Sequence, residues 1–448
     1  MLECLCRIGL LMFVSAGSIA AGFDQFTPLR GDVGVGTLPE ATPYRLSSPQ
    51  FTQRTLIARD PAQTRRFDSG NYDMITANET GTDAGRYLFM PFETNQAGIQ
   101  RYDLRTQTVV TLWSSPAAAP ALESHVAFDA SLWTPWGSLL TAEEAWNRRS
   151  GAPSHYGRLL EVVNPLADPA DIQLIHRNIL PRVAHEGLAF DAKRNLYFID
   201  ERYHGHVFRY TSAQPQAKDG DTFFAAGQSF VLRVGDGMVN EATGSATWIP
   251  LTDTRGAPLP GVVVMTDPKG LTAIDGAATP LLAAFRGTGF DRPEDIEIKT
   301  LKSSKQMLFV ASTTQHKVFS IDLASNTVKL FASQNTPDSA TGARVGAAFQ
   351  NPDNLAIDAK GHIYIVEDQP GGVGDIWFAR DKDDDGVAET IGKWASLSTP
   401  GAESTGLYFD KFNPNIAYVN VQHPNNGVDR TMMIKVTCAK GAPGCRQD

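Results

Sequence analysis

The sequence predicts an all-β fold, a six-bladed β-propeller closed as one domain over residues 53–448. Two observations predict it. The first is a two-strand pattern at residues 185–201, HEGLAFDAKRNLYFIDE: a polar start, an apolar run ending in Asp191, a polar turn, a second apolar run and an acidic end. Apolar, β-branched and aromatic runs flanking a polar turn signal a hairpin. The second is recurrence. RPEDIEI (292–298) with QMLFVASTT (306–314), PDNLAID (352–358) with HIYIVEDQ (362–369) and ESTGLYFD (403–410) with NIAYVNVQH (415–423) repeat the pattern closely. NYDMITAN (71–78) with RYLFMPFE (86–93), and HVAFD (125–129) with GSLLTAEE (137–144), repeat it loosely. Six units starting roughly 50–60 residues apart, with one longer gap, mark a propeller or an array.

From the N-terminus, residues 1–20 read as a secretory signal peptide: Arg7 as the basic residue, Ile8 to Val14 as the apolar core, and Ser18-Ile19-Ala20 as small residues for cleavage. The apolar run is too short for an ordinary membrane span. The absence of a twin arginine favours the general secretory route, so a periplasmic or secreted location is expected. Residues 21–52, rich in Gly, Pro and Ser, read as an extended arm. QRTLIAR (53–59) is strand-like and is expected to pair with the last blade, because closing the ring removes a sheet edge. IQRYDL (99–104), HVFRYT (206–211) and KVFSIDL (317–323) read as third strands. Residues 213–290 form a long insertion, either a lid over the substrate or an enlarged outer strand pair. Cys438 and Cys445, the two cysteines left after signal removal, are expected to close a disulfide in an exported protein.

The hairpin pattern puts the start of each first strand and the end of each second strand at one open end. Radial blades turn all six open ends to one face. Those ends carry carboxylates: Asp73 with Glu93, Glu123 with Glu143 and Glu144, Glu186 with Asp200 and Glu201, Glu294 and Asp295 with the Ser312–Thr313 end, Asp353 with Glu367 and Asp368, and Glu403 with His423. Converging carboxylates repel unless protonated or neutralised by cations. Hard oxygen donors point to Ca2+ or a similar ion, so a central metal-binding channel is expected. The competing reading is that each acid caps its own blade. Separately, Asp381, Asp383 and Asp385 before Gly386 fit the start of a calcium loop. The EF-hand version fails, because Gly392 stands where that motif needs Glu.

A net charge of −9 argues against nucleic acid as a partner. Hydrophobic and charged fractions of 42% and 20% are ordinary for a globular chain, and a monomer without a membrane span is expected. No Gly-x-Ser-x-Gly elbow, P-loop or dinucleotide fingerprint is present.

Five motifs stand in a fixed order: TPWG with LTAEE (134–144), DRPE (291–294), PDNLAID (352–358), DxDxDG after DIWFA (375–386), and GAESTG with VNVQHP (401–424). In that order they resemble the PhoX-type alkaline phosphatases of bacteria. The resemblance, over roughly residues 68–424, implies an exported six-bladed propeller that hydrolyses phosphate esters with ferric and calcium ions in its channel. Position by position, it implies metal roles for Glu143, Glu144, Glu186, Glu294, Asp353, Asn354 and Glu403. The chain departs from the family at Ala142, where the family has an iron-binding cysteine. It departs again at VEDQPGG (366–372), which adds Glu367 as a further carboxylate, and in lacking the twin arginine. Calcium is therefore expected, and iron stays open.

Arg292, Lys269 and Arg202 are candidates to stabilise charge on a transferring phosphoryl group. His423 and His185 are candidates for a proton donor or for orienting a ligand. Two other classes remain open: a calcium-dependent lactonase or esterase built on Glu186, Asn354 and Asp353, and a non-catalytic, calcium-stabilised binding propeller.

Overall fold

The computed structural model describes residues 22–59, 71–116, 124–145, 156–267, 269–368 and 373–437. The expected signal peptide, Glu123, Cys438 and Cys445 lie outside the described residues. The fold is all-β and propeller-like. Among the described residues, the α-helical content is the single turn Gly220–Phe223.

The strands run as antiparallel meanders. Thr76–Ala77, Tyr87–Phe92, Gly98–Asp103 and Thr108–Ser114 form one sheet. Leu132–Trp133, Leu139–Ala142, Leu159–Val162 and Leu174–His176 form the next. Pro352–Ile357, Ile363–Glu367, Asp375–Arg380 and Thr390–Leu397 form a third, and Tyr44–Leu46 from the arm adds a fifth strand at its edge. Glu403–Phe409, Ile416–Gln422 and Arg430–Val436 take Phe51–Ala58 as their outer strand, with Phe51 opposite Val436. That pairing joins the two ends of the described domain, as the strand-like run at 53–59 predicts.

Nine of the remaining strands join into one sheet instead of forming separate four-stranded ones. Leu188–Phe190, Leu196–Ile199, Val207–Ser212 and Gly227–Val234 continue through Gly244–Pro250 into Thr327–Ser333, and then into the strands Lys317–Asp322, Gln306–Ser312 and Pro293–Thr300. The result is one nine-stranded sheet. Its join is short, Gly244 opposite Val328 and Ser245 opposite Thr327. The insertion causes it: Gly244–Pro250 is an extra outer strand, and its free edge is covered by the neighbouring outer strand.

Apolar layers fill the spaces between neighbouring strand groups. Phe89 and Ile99 pack with Leu139 and Leu160, and Leu140 and Ala142 with Leu188 and Phe198. Tyr197 and Ile199 pack with Leu308 and Val310, and Phe309 with Leu355 and Trp377. Tyr364 and Trp394 pack with Phe409 and Val419, and Leu88 and Met90 with Tyr418. Each group is covered on both faces. Hence LYFI (196–199) and IYIVE (363–367) are buried throughout and read as continuous apolar runs.

Polar side chains close the hairpins at the end away from the acids. Asp191 Oδ1 accepts from Lys193 N and Asn195 N at 2.9 and 2.8 Å. Asp358 does the same for Lys360 and His362, and Asp410 for Phe412 and Asn413. Near the axis the first strands approach closely. A Cβ on Gly187 would lie 2.4 Å from Asp295 Oδ1 and from Ile296 N, so only glycine fits there.

Candidate metal centre in the channel

Ordinary hairpin geometry brings one end of every strand group to the same mouth, and the acids collect there. The ligand oxygens of Glu186, Glu294 and Asp353 lie within 4.8 Å of one another. A second trio, Asp73, Glu93 and Asp129, meets the same limit. Glu144, Glu201, Asp368 and Glu403 link the trios electrostatically. Burial, then the charges of Glu93 and Glu201, push Glu144 up. Burial, then Glu294, Asp129 and Asp353, push Glu186 up. Burial and the neighbouring Asp368 raise Asp353 to about 8. Burial and a hydrogen bond with Asp368 raise Glu403 to about 11. The cause is common: anions out of water and side by side.

Several of these oxygens have no hydrogen-bond partner in the structure: Asp73 Oδ1, Asp129 Oδ1, Glu186 Oε2 and Asp368 Oδ1. Buried polar atoms are almost always paired. Unpaired carboxylate oxygens converging from different strands, with no sulfur donor among them, fit hard cations.

Adjacent residues of a strand point to opposite sides, so the two acids of a pair part company, and their partners show which one faces the channel. Glu144 faces in, whereas Glu143 faces back: Arg158 Nε and Nη2 donate to it at 2.8 and 2.6 Å, and His125 Nδ1 lies 3.2 Å away. Against the effect of burial, His125 and Arg158 hold Glu143 down at about 2. In the next pair Asp368 faces in and Glu367 does not. Glu367 Oε1 accepts from Gln350 N and Trp377 Nε1, each at 2.8 Å, and Oε2 accepts from Asp375 N at 3.2 Å. Asn354 also differs from a ligand. Its Oδ1 accepts from Gly406 N at 2.5 Å, and its amide donates to Asp353 Oδ1 at 3.0 Å. The structure thus gives Glu143, Glu367 and Asn354 to the walls of the site. Glu143→Gln is expected to lower stability by roughly 3–5 kcal/mol, because it leaves the buried Arg158 charge uncompensated, while metal content stays at the wild-type level. Denaturant midpoints with elemental analysis check this; lost metal at full stability would make Glu143 a ligand.

Asp129 is the acid that sequence reading missed. A spacing would have found it. Five residues after Asp73, Glu186 and Asp353 stand Asn78, Asp191 and Asp358, whose side-chain oxygens accept from backbone N–H groups at the hairpin turn. Five after Asp129 stands Thr134, whose Oγ1 accepts from Ser138 N at 2.9 Å.

Arg292 sits at the rim. Its Nε donates to Glu201 Oε1 at 2.7 Å, and its Nη2 lies 3.0 Å from Glu294 Oε1. Its side chain is 42% exposed. His423 is half exposed, with Nε2 3.4 Å from Glu403 Oε1. The other cations lie apart: Arg202 donates to both oxygens of Asp200, and Lys269 lines a separate cavity with His125 and His176. His185 is buried against Phe198, with ring centroids 5.4 Å apart, and burial drives its pKa down to about 3. Asp381, Asp383 and Asp385 converge within 4.8 Å, but in an outer turn beyond Arg380. There Asp381 accepts from the N–H groups of Asp385 and Gly386, each at 3.1 Å, and Lys329 caps Asp385. Beyond the acids the channel opens into a cavity of about 510 Å3 lined by Thr76, Trp133, Phe190, Ile298, Ile357 and Phe409.

A family model described as alkaline phosphatase PhoX matches residues 130–425. The chain is similar in structure to Pseudomonas fluorescens PhoX in complex with vanadate, a transition state analogue, with TM-score 0.64 and 16% identity, covering 93% of this chain and 99% of that chain. It is more distantly similar to a putative gluconolactonase, with TM-score 0.41, 10% identity and 88% and 97% coverage. A luciferin-regenerating enzyme matches with TM-score 0.42, 9% identity and 87% and 97% coverage. A search of curated proteins finds no match.

Proposed function

We propose that this chain, which belongs to the alkaline phosphatase PhoX family, is an exported, metal-dependent phosphoric ester hydrolase that works at the mouth of its channel. The observation that carries the reading is the pair of carboxylate trios, Glu186–Glu294–Asp353 and Asp73–Glu93–Asp129, with unpaired buried oxygens. Glu144, Glu201, Asp368 and Glu403 complete the ligand shell. Cations bound there supply the positive charge and Lewis acidity that a phosphate ester needs among so many anions. Calcium is the principal ion. Iron is the second candidate, and it has no thiolate here because Ala142 stands at the family's cysteine.

The chain's own residues then divide the remaining work. Arg292, anchored by Glu201 and Glu294, turns its exposed side toward an arriving phosphate and orients it. His423, at the solvent edge beside Glu403, is placed to give a proton to the departing alcohol. The walls, Glu143–Arg158 and Asn354–Gly406, hold the strand ends in register. We read the ring as six blades, because six apolar layers alternate with the strand groups; the nine-stranded sheet is then two blades joined at their rims. The outer Asp381–Asp385 loop is read as a separate, structural calcium site. A signal peptide over residues 1–20 would place the enzyme in the periplasm or outside the cell. No helix among the described residues is long and apolar enough to cross a membrane, and the working unit is taken as a monomer.

The test is elemental analysis of purified protein together with a phosphomonoester assay with and without chelator. Calcium in the protein and turnover that chelation abolishes are expected. Calcium with turnover of lactones alone would replace the phosphatase reading with a lactonase-like one, and metal without any turnover would leave a binding propeller.

A further inference from the structure

The acid mouth has an apolar shoulder on one side. Met238 and Val239, in the turn between Gly227–Val234 and Gly244–Pro250, are 63% and 64% exposed, and Tyr203 is 58% exposed. These are three of the four most exposed large hydrophobic side chains among the described residues. All three stand at the end of the sheets that carries the acids. Tyr203 follows Glu201 by two residues and pairs with Asp291, the residue before Arg292. Opposed residues of antiparallel strands stand about 5 Å apart at Cα. The shoulder therefore begins one residue from the rim arginine.

The patch is also held firmly. His204 packs on the Tyr203 ring with centroids 4.0 Å apart. His204 Nδ1 lies 2.6 Å from Asp291 Oδ1 and 2.6 Å from the Asn240 amide. Glu241 accepts from Ser312 Oγ and from Lys317 Nζ, each at 2.6 Å. The turn carrying Met238 and Val239 is thus tied by the next two residues to the strands that frame the channel. A fixed apolar surface beside a polar, charged centre is the usual build of a small-molecule site, and exposed apolar side chains gathered at one place mark contact with a ligand or partner.

We propose that Tyr203, Met238 and Val239 form the subsite for the leaving group, so that the preferred substrates are phosphate esters of apolar alcohols and phenols. The inference rests on the phosphatase reading and names its substrate class. The phosphate is oriented by Arg292 at the mouth, and the organic part lies outward across the insertion. The insertion thereby sets specificity in addition to extending the sheet.

The test compares wild type with the triple variant Tyr203→Ser, Met238→Ser, Val239→Ser, both calcium-loaded. All three side chains are exposed, so the thermal midpoint should hold. With 1-naphthyl phosphate, kcat/KM should fall about tenfold, the effect of losing an apolar contact of naphthyl size. With glycerol 2-phosphate it should change less than about twofold. Comparing each substrate with itself cancels the different reactivity of the two leaving groups. Calorimetric binding of 1-naphthylmethylphosphonate against methylphosphonate gives a readout without turnover: wild type should prefer the first, and the variant should lose the preference. Equal losses on both esters, or no loss on either, would overturn the subsite. If wild type turns over neither ester, the phosphatase reading fails, and the phosphonate pair decides alone. A preference lost in the variant keeps an apolar anion subsite, and equal binding by wild type removes it.

Discussion

In calcium-free protein the thermal midpoint is expected to fall as the pH is raised from about 5 to about 9, by roughly 10 °C, and added calcium is expected to restore it. The fall follows from which state holds more protons. Asp353 keeps its proton up to about 8 and Glu403 up to about 11, because both are buried beside Asp368. In an unfolded chain the same carboxyls ionise near 4. Between those limits the folded state binds more protons than the unfolded state, so stability declines with rising pH. Asp73, Asp129, Glu144, Glu186 and Glu294 are raised in the same direction, first by burial and then mostly by their neighbours' charges. Bound calcium would replace the protons as counter-charge. The increment it gives should therefore grow with pH, since at low pH it must displace protons to bind. Thermal melts across pH, with chelator and with calcium, read both trends. A chelated protein whose midpoint is flat or rises over this range would mean that the acids do not repel one another in the folded state.

The parts of this molecule that sequence could locate are those where one residue settles the matter locally. The turn after LAFD (188–191) was legible because Asp191 closes it through its own side chain, and the fully buried strand LYFI because both of its faces are covered. The open ends were legible as acidic. Which of two adjacent acids faces the channel was not. Alternation says that Glu143 and Glu144, or Glu367 and Asp368, point to opposite sides; it does not say which side is inward. Register near the strand ends settles that, and the register shifts between Pro352 and Leu355 and between Pro293 and Ile296. The partners that claim Glu143 and Glu367 come from distant positions, Arg158 and Trp377, and no local pattern announces them. The nine-stranded sheet is of the same kind. Gly244–Pro250 and Thr327–Ser333 are far apart in sequence, with Pro293–Thr300, Gln306–Ser312 and Lys317–Asp322 between them, and only the packing of neighbouring strand groups brings their edges together.

Glu294→Gln and Ala142→Cys should move metal content in opposite directions. Glu294 is one of three acids whose oxygens lie within 4.8 Å of one another. Glutamine keeps its shape and removes its charge. Calcium affinity should fall by more than about a hundredfold, since even partners outside the ligand shell are commonly worth 10–100-fold. Phosphomonoester turnover should fall with it. The calcium-free variant should nevertheless be more stable than calcium-free wild type at neutral pH, because glutamine removes a carboxyl that has to take up a proton on folding, while Arg292 keeps Glu201. A simple structural cap would give the reverse, a loss of stability with or without calcium. Ala142 lies two residues before Glu144 on the same side of its strand, packed with Leu159 and Val183. A cysteine there places a thiol beneath the channel acids. A thiolate is a soft ligand that favours iron over calcium, so bound iron per chain should rise. If Glu294→Gln loses calcium while Ala142→Cys gains no iron, position 142 is only part of the apolar layer, and the channel is a calcium centre whose ligands are all oxygen. If neither substitution changes the metal, the trios are blade caps, and the phosphatase reading fails with them.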